Sequence, residues 1–279
     1  MNKQMIMDPF QNVVNSGVAI ADMNKFLGSV LEKITLTLGG TLTKSMITKI
    51  ELKLNGKVVY ETDGAKLDAS NLYLGAAADA TILKIDFMDR KAITVNARQA
   101  GAIDLSAGSG ITSVRLEVTI AGATTPTLVG FCDVSPPSAD PSEAGIRGLI
   151  LRRHRATFVV GAAGTFALPI PHLDPAGGGS NFRRLMIYAA NMTALKTARE
   201  GITEHELTKL QNEAAQKDNF RVPQANLVVF DPVQDGQLSG RTWDTRPVAG
   251  VRSAQFYATF SAGETITIET EELLPLAAY

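Results

Sequence analysis

The sequence predicts an all-β chain built as two consecutive jelly-roll sandwiches, a double jelly roll, with short helices in its loops. Three observations predict it. Thr112 to Gly122 echoes Arg252 to Gly263, so that Val114, Leu116, Val118 and Ile120 fall opposite Ala254, Phe256, Ala258 and Phe260, 140 positions on. Both segments alternate apolar and polar side chains, the pattern of a strand with one buried face. A second pair, Ala80 to Asp89 and Ala225 to Asp235, echoes in the same order at an offset of 145. A helical segment then interrupts the strands at the same place in each half, near Leu67 to Leu74 and again after Thr203.

In the first half, Ile34, Leu36 and Leu38 alternate with Lys33, Thr35 and Thr37, and Gly39-Gly40 stops the run. Ile50, Leu52 and Leu54 alternate with Lys49, Glu51 and Lys53. Asn55-Gly56 supplies the two positive-φ residues of a type I′ turn, so Lys57 to Glu61 returns as the paired strand. Leu67 to Leu74 reads as a short helix closed by Gly75. Strands follow near 81–88, 92–98, 111–121 and 126–133.

Val134 to Gly145 carries three prolines and no apolar periodicity, which predicts an extended linker. The expected organisation is therefore a first sandwich over 1–134, a Pro/Ser-rich linker over 135–145 and a second sandwich over 146–279. Strands are expected at 155–160, 164–169, 182–189, 193–199, 226–231, 252–260 and 264–270. Between them, Thr203-Glu-His-Glu206 has the form of a capping box, with Thr203 as N-cap and Glu206 at N3. Leu207, Leu210 and Ala214 would share one face of a helix over 204–217, with Glu213 in reach of Lys217. Seven or eight short strands per half with long connections favour two sheets closed by Greek keys. An immunoglobulin-like sandwich fits less well: Cys132 has no partner cysteine, and Trp243 lies in the wrong half for a core tryptophan.

Composition excludes several function classes. At 279 residues the chain is near the size at which one core divides into two. An apolar fraction of 45% is enough for full cores. A net charge of −1 makes no electrostatic case for coating nucleic acid. A single cysteine forbids an intrachain disulfide and fits synthesis in a cytoplasm. Met1 to Gln11 lacks the apolar run of a signal peptide, and no stretch approaches the roughly 20 apolar residues that span a bilayer.

No catalytic constellation stands out. His154, His172 and His205 lie at a strand start, in a Pro-flanked loop and in the expected helix, and read as unrelated surface or loop histidines rather than a metal site. Gly177 to Gly179 precedes Ser180, Arg183 and Arg184, but a phosphate cradle needs a following helix, so a flexible loop is expected. Asp86, Asp89, Asp231 and Asp235 sit at strand ends where they could give oxygens to calcium, but without EF-hand spacing they read as solvated loop carboxylates. Arg152-Arg-His-Arg155 is the densest basic cluster and reads as a polar opening to the second half or an interdomain ion pair. Ser109 lies in Gly108-Ser-Gly110, without the nucleophile-elbow pattern. No catalytic or cofactor-binding residue is assigned, and no metal ligand is identified.

The opening Phe10 to Gly17, the hairpin Ile50 to Lys57 and the Leu151-Arg-Arg153 opening of the second half, in this order, resemble the major coat protein of corticovirus-like bacteriophages. Those are tailless icosahedral phages with an internal membrane. The resemblance runs from about Phe10 to Leu274, and the helix of the second half and the loop at 176–180 look like family-variable insertions. It implies a non-enzymatic major capsid protein that trimerises into pseudo-hexagonal capsomers and tiles an icosahedral virion shell. Its implied partners are further copies of itself, a penton protein at the vertices and the inner viral membrane, with no specific nucleic acid. It implies no cofactor, with structural calcium left open. The alternative from another class is a carbohydrate-binding or cupin-like sandwich. It would need clustered aromatics or metal ligands, and aromatics make up only 6% of the residues.

Overall fold

The computed structural model describes residues 3–137, 148–238 and 240–275. The chain forms two compact units. The first contains β1 (Lys3–Ile6), β2 (Gly17–Asp22), β3 (Val30–Gly40), β4 (Ile47–Leu54), β5 (Lys57–Thr62), β6 (Ile82–Asp86), β7 (Ile103–Asp104), β8 (Val114–Ile120) and β9 (Pro126–Ser135). One sheet runs β1-β9-β3-β6, with β7 also on β3, and the other runs β5-β4-β8-β2. Helix α1 (Gly64–Tyr73) follows β5, and α2 (Val95–Gln99) lies between β6 and β7. The inward positions of the alternating strands make the core: Ile34, Leu36, Ile50, Leu52, Leu83, Ile85, Leu116 and Val118 are all fully buried.

Strand β10 (Leu149–Val160) starts in the first unit, where Arg153 registers with Tyr60 of β5, and ends in the second. The second unit continues with β11 (Gly164–Ala167), β12 (Asn181–Tyr188), β13 (Met192–Arg199), β14 (Ile202–Thr208), α3 (Lys209–Asp218), β15 (Leu227–Phe230), β16 (Trp243–Asp244), β17 (Ala254–Phe260) and β18 (Glu264–Pro275). Its sheets run β15-β12-β18-β10, with β16 also on β12, and β14-β13-β17-β11. Phe182, Leu185, Phe230, Trp243, Phe256, Phe260 and Ile268 lie in one buried cluster between them.

Each strand of the first unit has its counterpart nine strands later, with the same neighbours. β3 lies between β9 and β6 as β12 lies between β18 and β15, and β8 lies between β4 and β2 as β17 lies between β13 and β11. Strands β8 and β17 begin and end 140 residues apart, matching the repeat in the sequence. The match extends to single atoms. In the β4–β5 turn Asn55 and Gly56 have φ of 48° and 80°, and in the β13–β14 turn Glu200 and Gly201 have φ of 50° and 75°. Asn55 Oδ1 accepts from the backbone N–H groups of Thr112 (2.8 Å) and Ser113 (3.1 Å). Glu200 Oε1 accepts from those of Arg252 (2.5 Å) and Ser253 (2.7 Å), again 140 residues on.

Two expectations fail locally. Residues 92–98 are not a strand. The Thr94 hydroxyl accepts from the Ala97 N–H at 3.1 Å and its carbonyl accepts from the Arg98 N–H, so Thr94 starts α2. The β-branched Ile93 and Val95 face solvent, while Ala97 and Ala100 are buried. Thr203 is not a helix cap either. Residues 202–208 form β14, paired along β13 from Ala194↔Thr208 to Arg199↔Ile202. The capping box forms five residues later, where Thr208 Oγ1 accepts from Gln211 N–H and Gln211 Oε1 accepts from Thr208 N–H. Leu210 and Ala214 face outward, and Asn212 and Gln216 face inward, both donating to the Val229 carbonyl. The ion pair on this helix joins Lys209 to Glu213. From residue 138 to its end, the proline-rich linker lies outside the described residues; the units exchange between Arg153 and His154.

Candidate functional site

A buried cluster of charged groups lies between β12, β18 and the residue that follows β15. Arg184 on β12 is 1% exposed. Its Nε meets Asp231 Oδ2 at 3.2 Å and its Nη1 meets Glu271 Oε2 at 2.9 Å. Asp231 also receives Arg221 Nε at 3.1 Å and the Tyr73 hydroxyl at 3.1 Å. Burial and the neighbouring Asp231 charge push the Tyr73 phenol well above its usual range, so Tyr73 stays a donor. The first unit holds the same device in smaller form. Lys33 on β3 registers with Asp86 on β6 and Asp133 on β9, and its ammonium meets Asp133 at 2.6 Å. Removing one partner of the fully buried Arg184–Asp231 pair costs about 3–5 kcal/mol, because the other charge is left uncompensated.

These placements assign the expected candidates. Asp231 is an ion-pair partner in the core, and Asp86 pairs with Arg90 at 3.5 Å. Asp89 accepts from Lys91 N–H, and Asp235 meets Arg241 at 3.6 Å. Arg183 and Arg184 are buried, so neither is presented to a phosphate. Gly177 to Gly179 is a tight turn: Gly179 has φ of 60°, and a Cβ there would stand 2.4 Å from the Thr245 carbonyl oxygen. The basic cluster is no exposed patch either. Arg153 is 1% exposed and donates to the Tyr60 hydroxyl at 3.0 Å and to Ser70 Oγ. The Ser109 hydroxyl donates to the Ser106 carbonyl. Burial, with the Asp133 charge beside it, pushes the Cys132 thiol up to about 12, which removes it as a nucleophile.

The histidines, read as unrelated in the sequence, are not all so. His154 on β10, His172 between β11 and β12, and Glu272 on β18 each offer one ligand atom, all within 4.8 Å of one another. The two rings stand 4.5 Å apart. His172 Nδ1 lies 3.1 Å from Glu272 Oε1. The Thr270 hydroxyl donates to Glu272 Oε1 and the Ser180 hydroxyl to Oε2, each at 2.7 Å. No local spacing announces this cluster; the sheet brings together positions that lie 18 and 100 residues apart.

His205 instead lines a cleft of about 390 Å³ with Thr197, Arg199, Glu204, Phe230 and Trp243. Burial lowers its imidazole pKa, with a hydrogen bond to Asn212 opposing. Trp243 is 4% exposed, donates to Glu204 Oε2 at 2.9 Å and packs its ring against Phe182, Phe230 and Phe256. It is a core residue of the second unit and offers no open face on which a sugar could stack.

Comparison with known proteins fits this arrangement. The fold matches the major capsid protein P2 of bacteriophage PM2, with a TM-score of 0.80 and 16% identity over 98% of this chain and 97% of that one. It also matches a protein in the atomic structure of Sulfolobus Turreted Icosahedral Virus (TM-score 0.69, 10% identity, 98% and 91% covered). A third match is to the PBCV-1 virus capsid (TM-score 0.59, 9% identity, 98% and 93% covered). No curated protein sequence matches the chain. The family models for the viral coat protein P2 N-terminal domain and C-terminal domain match residues 4–135 and 150–276 in that order. The chain thus belongs to the viral coat protein P2 family, as a structural component of a virion shell rather than an enzyme.

Proposed function

We propose that this coat protein associates as a homotrimer and that the trimers tile an icosahedral shell as pseudo-hexagonal capsomers. The observation that carries the proposal is the strand-for-strand duplication: one chain supplies two equivalent sandwiches, so three chains supply six. A threefold ring closes through heterologous contacts, in which one surface meets a different surface on the next copy. Two similar but non-identical units provide two such surfaces. A net charge of −1 leaves little long-range repulsion between copies. Large apolar side chains lie exposed on both units, among them Val129, Ile202, Leu210 and Val248. These are natural material for an obligate interface on the order of 2,000–5,000 Å². A vertex protein at the fivefold positions and an inner membrane beneath the shell complete the proposed assembly.

The mass of the purified protein in solution tests the first step, and electron imaging after mixing with its vertex partner tests the second. A stable trimer and regular tiles or shells are expected. A monomer that binds oligosaccharide would overturn the proposal in favour of a sugar-binding sandwich.

A further inference from the structure

Glu272 is a fully buried carboxylate, and burying a charge is costly unless other groups compensate it. Both of its oxygens accept from hydroxyls, Thr270 on one and Ser180 on the other, and the ring of His172 stands against the first. His172 itself has φ of 58°, in the left-handed region where non-glycine residues are uncommon. That conformation holds its ring 4.5 Å from the ring of His154, which is partly buried on β10. Two imidazoles and one carboxylate therefore converge from two strands and a loop. The carboxylate is already oriented by an outer layer of hydroxyls, as ligating carboxylates generally are.

From this geometry we propose that His154, His172 and Glu272 form a binding site for a divalent transition metal of the zinc class. Zinc takes three protein ligands of this type, two nitrogens and one carboxylate oxygen, with water in the fourth position. Calcium does not suit the set, because it needs six to eight oxygen ligands and finds one carboxylate here. The bound ion would tie β10, the β11–β12 loop and β18 together and so brace the second unit. The proposal is independent of the trimer reading, since all three ligands belong to one unit of one chain.

The test uses the full-length protein without a histidine tag. Zinc is titrated by calorimetry, melting is followed with and without zinc, and cobalt serves as a spectroscopic substitute. One zinc per chain, a raised melting temperature and visible cobalt bands of low coordination number are expected, with no shift from calcium. His172→Asn keeps a residue that tolerates positive φ and should weaken zinc binding at least about tenfold. Ser180→Ala removes a hydroxyl behind Glu272 and should weaken it by about 10–100-fold. His205→Gln, outside the cluster, should bind like the parent. Zinc binding that is absent in the parent, or equal in the parent and His172→Asn, would overturn the site.

Discussion

Asn55 and Glu200 do the same work with different chemistry. Each sits first in a two-residue turn with positive φ and uses a side-chain oxygen to clasp two backbone N–H groups at the start of a central strand. Asn55 was legible as a turn residue, because asparagine tolerates that backbone region and Asn-Gly is the strongest short hairpin signal. Glu200 carries no such signal, and the turn it forms was missed. The two differ in one testable respect, since only Glu200 can be protonated. The backbone bonds from Arg252 and Ser253 hold its carboxyl below the usual glutamate value of 4.5. A carboxyl with a lowered folded pKa contributes stability above its unfolded pKa and loses it as the pH falls through the folded value. The Arg252 and Ser253 amide signals should therefore titrate in NMR with a midpoint below 4.5, while those of Thr112 and Ser113 stay unchanged. A shift of both pairs together would mean that global unfolding, rather than the clasp, is being read.

At the scale of elements, periodicity marks strands such as β4, β8 and β17, where one face is buried and the other is not. It failed where a polar side chain settled the matter. Thr203 to Glu206 has the residues of a capping box, yet the hairpin with β13 takes that segment, and Thr208 caps the helix instead. Thr208→Ala should destabilise α3 by about 1 kcal/mol, seen as faster hydrogen exchange across 209–218, and Thr203→Ala should not. Loss of protection in the Thr203 variant alone would place the cap at Thr203. The inward face of α3 is polar for a related reason: Asn212 and Gln216 are buried with each side-chain amide donating to the Val229 carbonyl. Phe256 is fully buried and packs against Phe230 and Trp243, so Phe256→Ala should cost about 3–5 kcal/mol. An unchanged denaturation midpoint would place that ring outside the energetic core. The cluster of His154, His172 and Glu272 was not legible at all, because its members meet only through sheet register.

At the scale of the whole molecule, duplication matters because it makes two surfaces from one plan and then lets them diverge. The β-turns with positive φ and the interrupting helices recur in both units, while the turn residues themselves differ. The proposed ring sets one surface of the first unit against one of the second on the next copy, and this has a consequence that a self-complementary contact lacks. Val129, 60% exposed on β9, and Leu210, 75% exposed on α3, are the first substitutions to make on the two sides. Val129→Glu and Leu210→Glu should each leave the fold of the single chain intact, read as an unchanged circular dichroism spectrum, because an exposed side chain contributes little to its own core. Each should abolish the trimer, since every contact in the ring needs both surfaces. Mixed together, the two variants should recover a dimer and go no further. The intact surface of one can meet the intact surface of the other once, and the remaining pair is then both damaged. Analytical ultracentrifugation of the mixture reads this directly. Recovery of a full trimer, or no association in the mixture although each variant alone is monomeric, would mean that the ring does not close through these two faces.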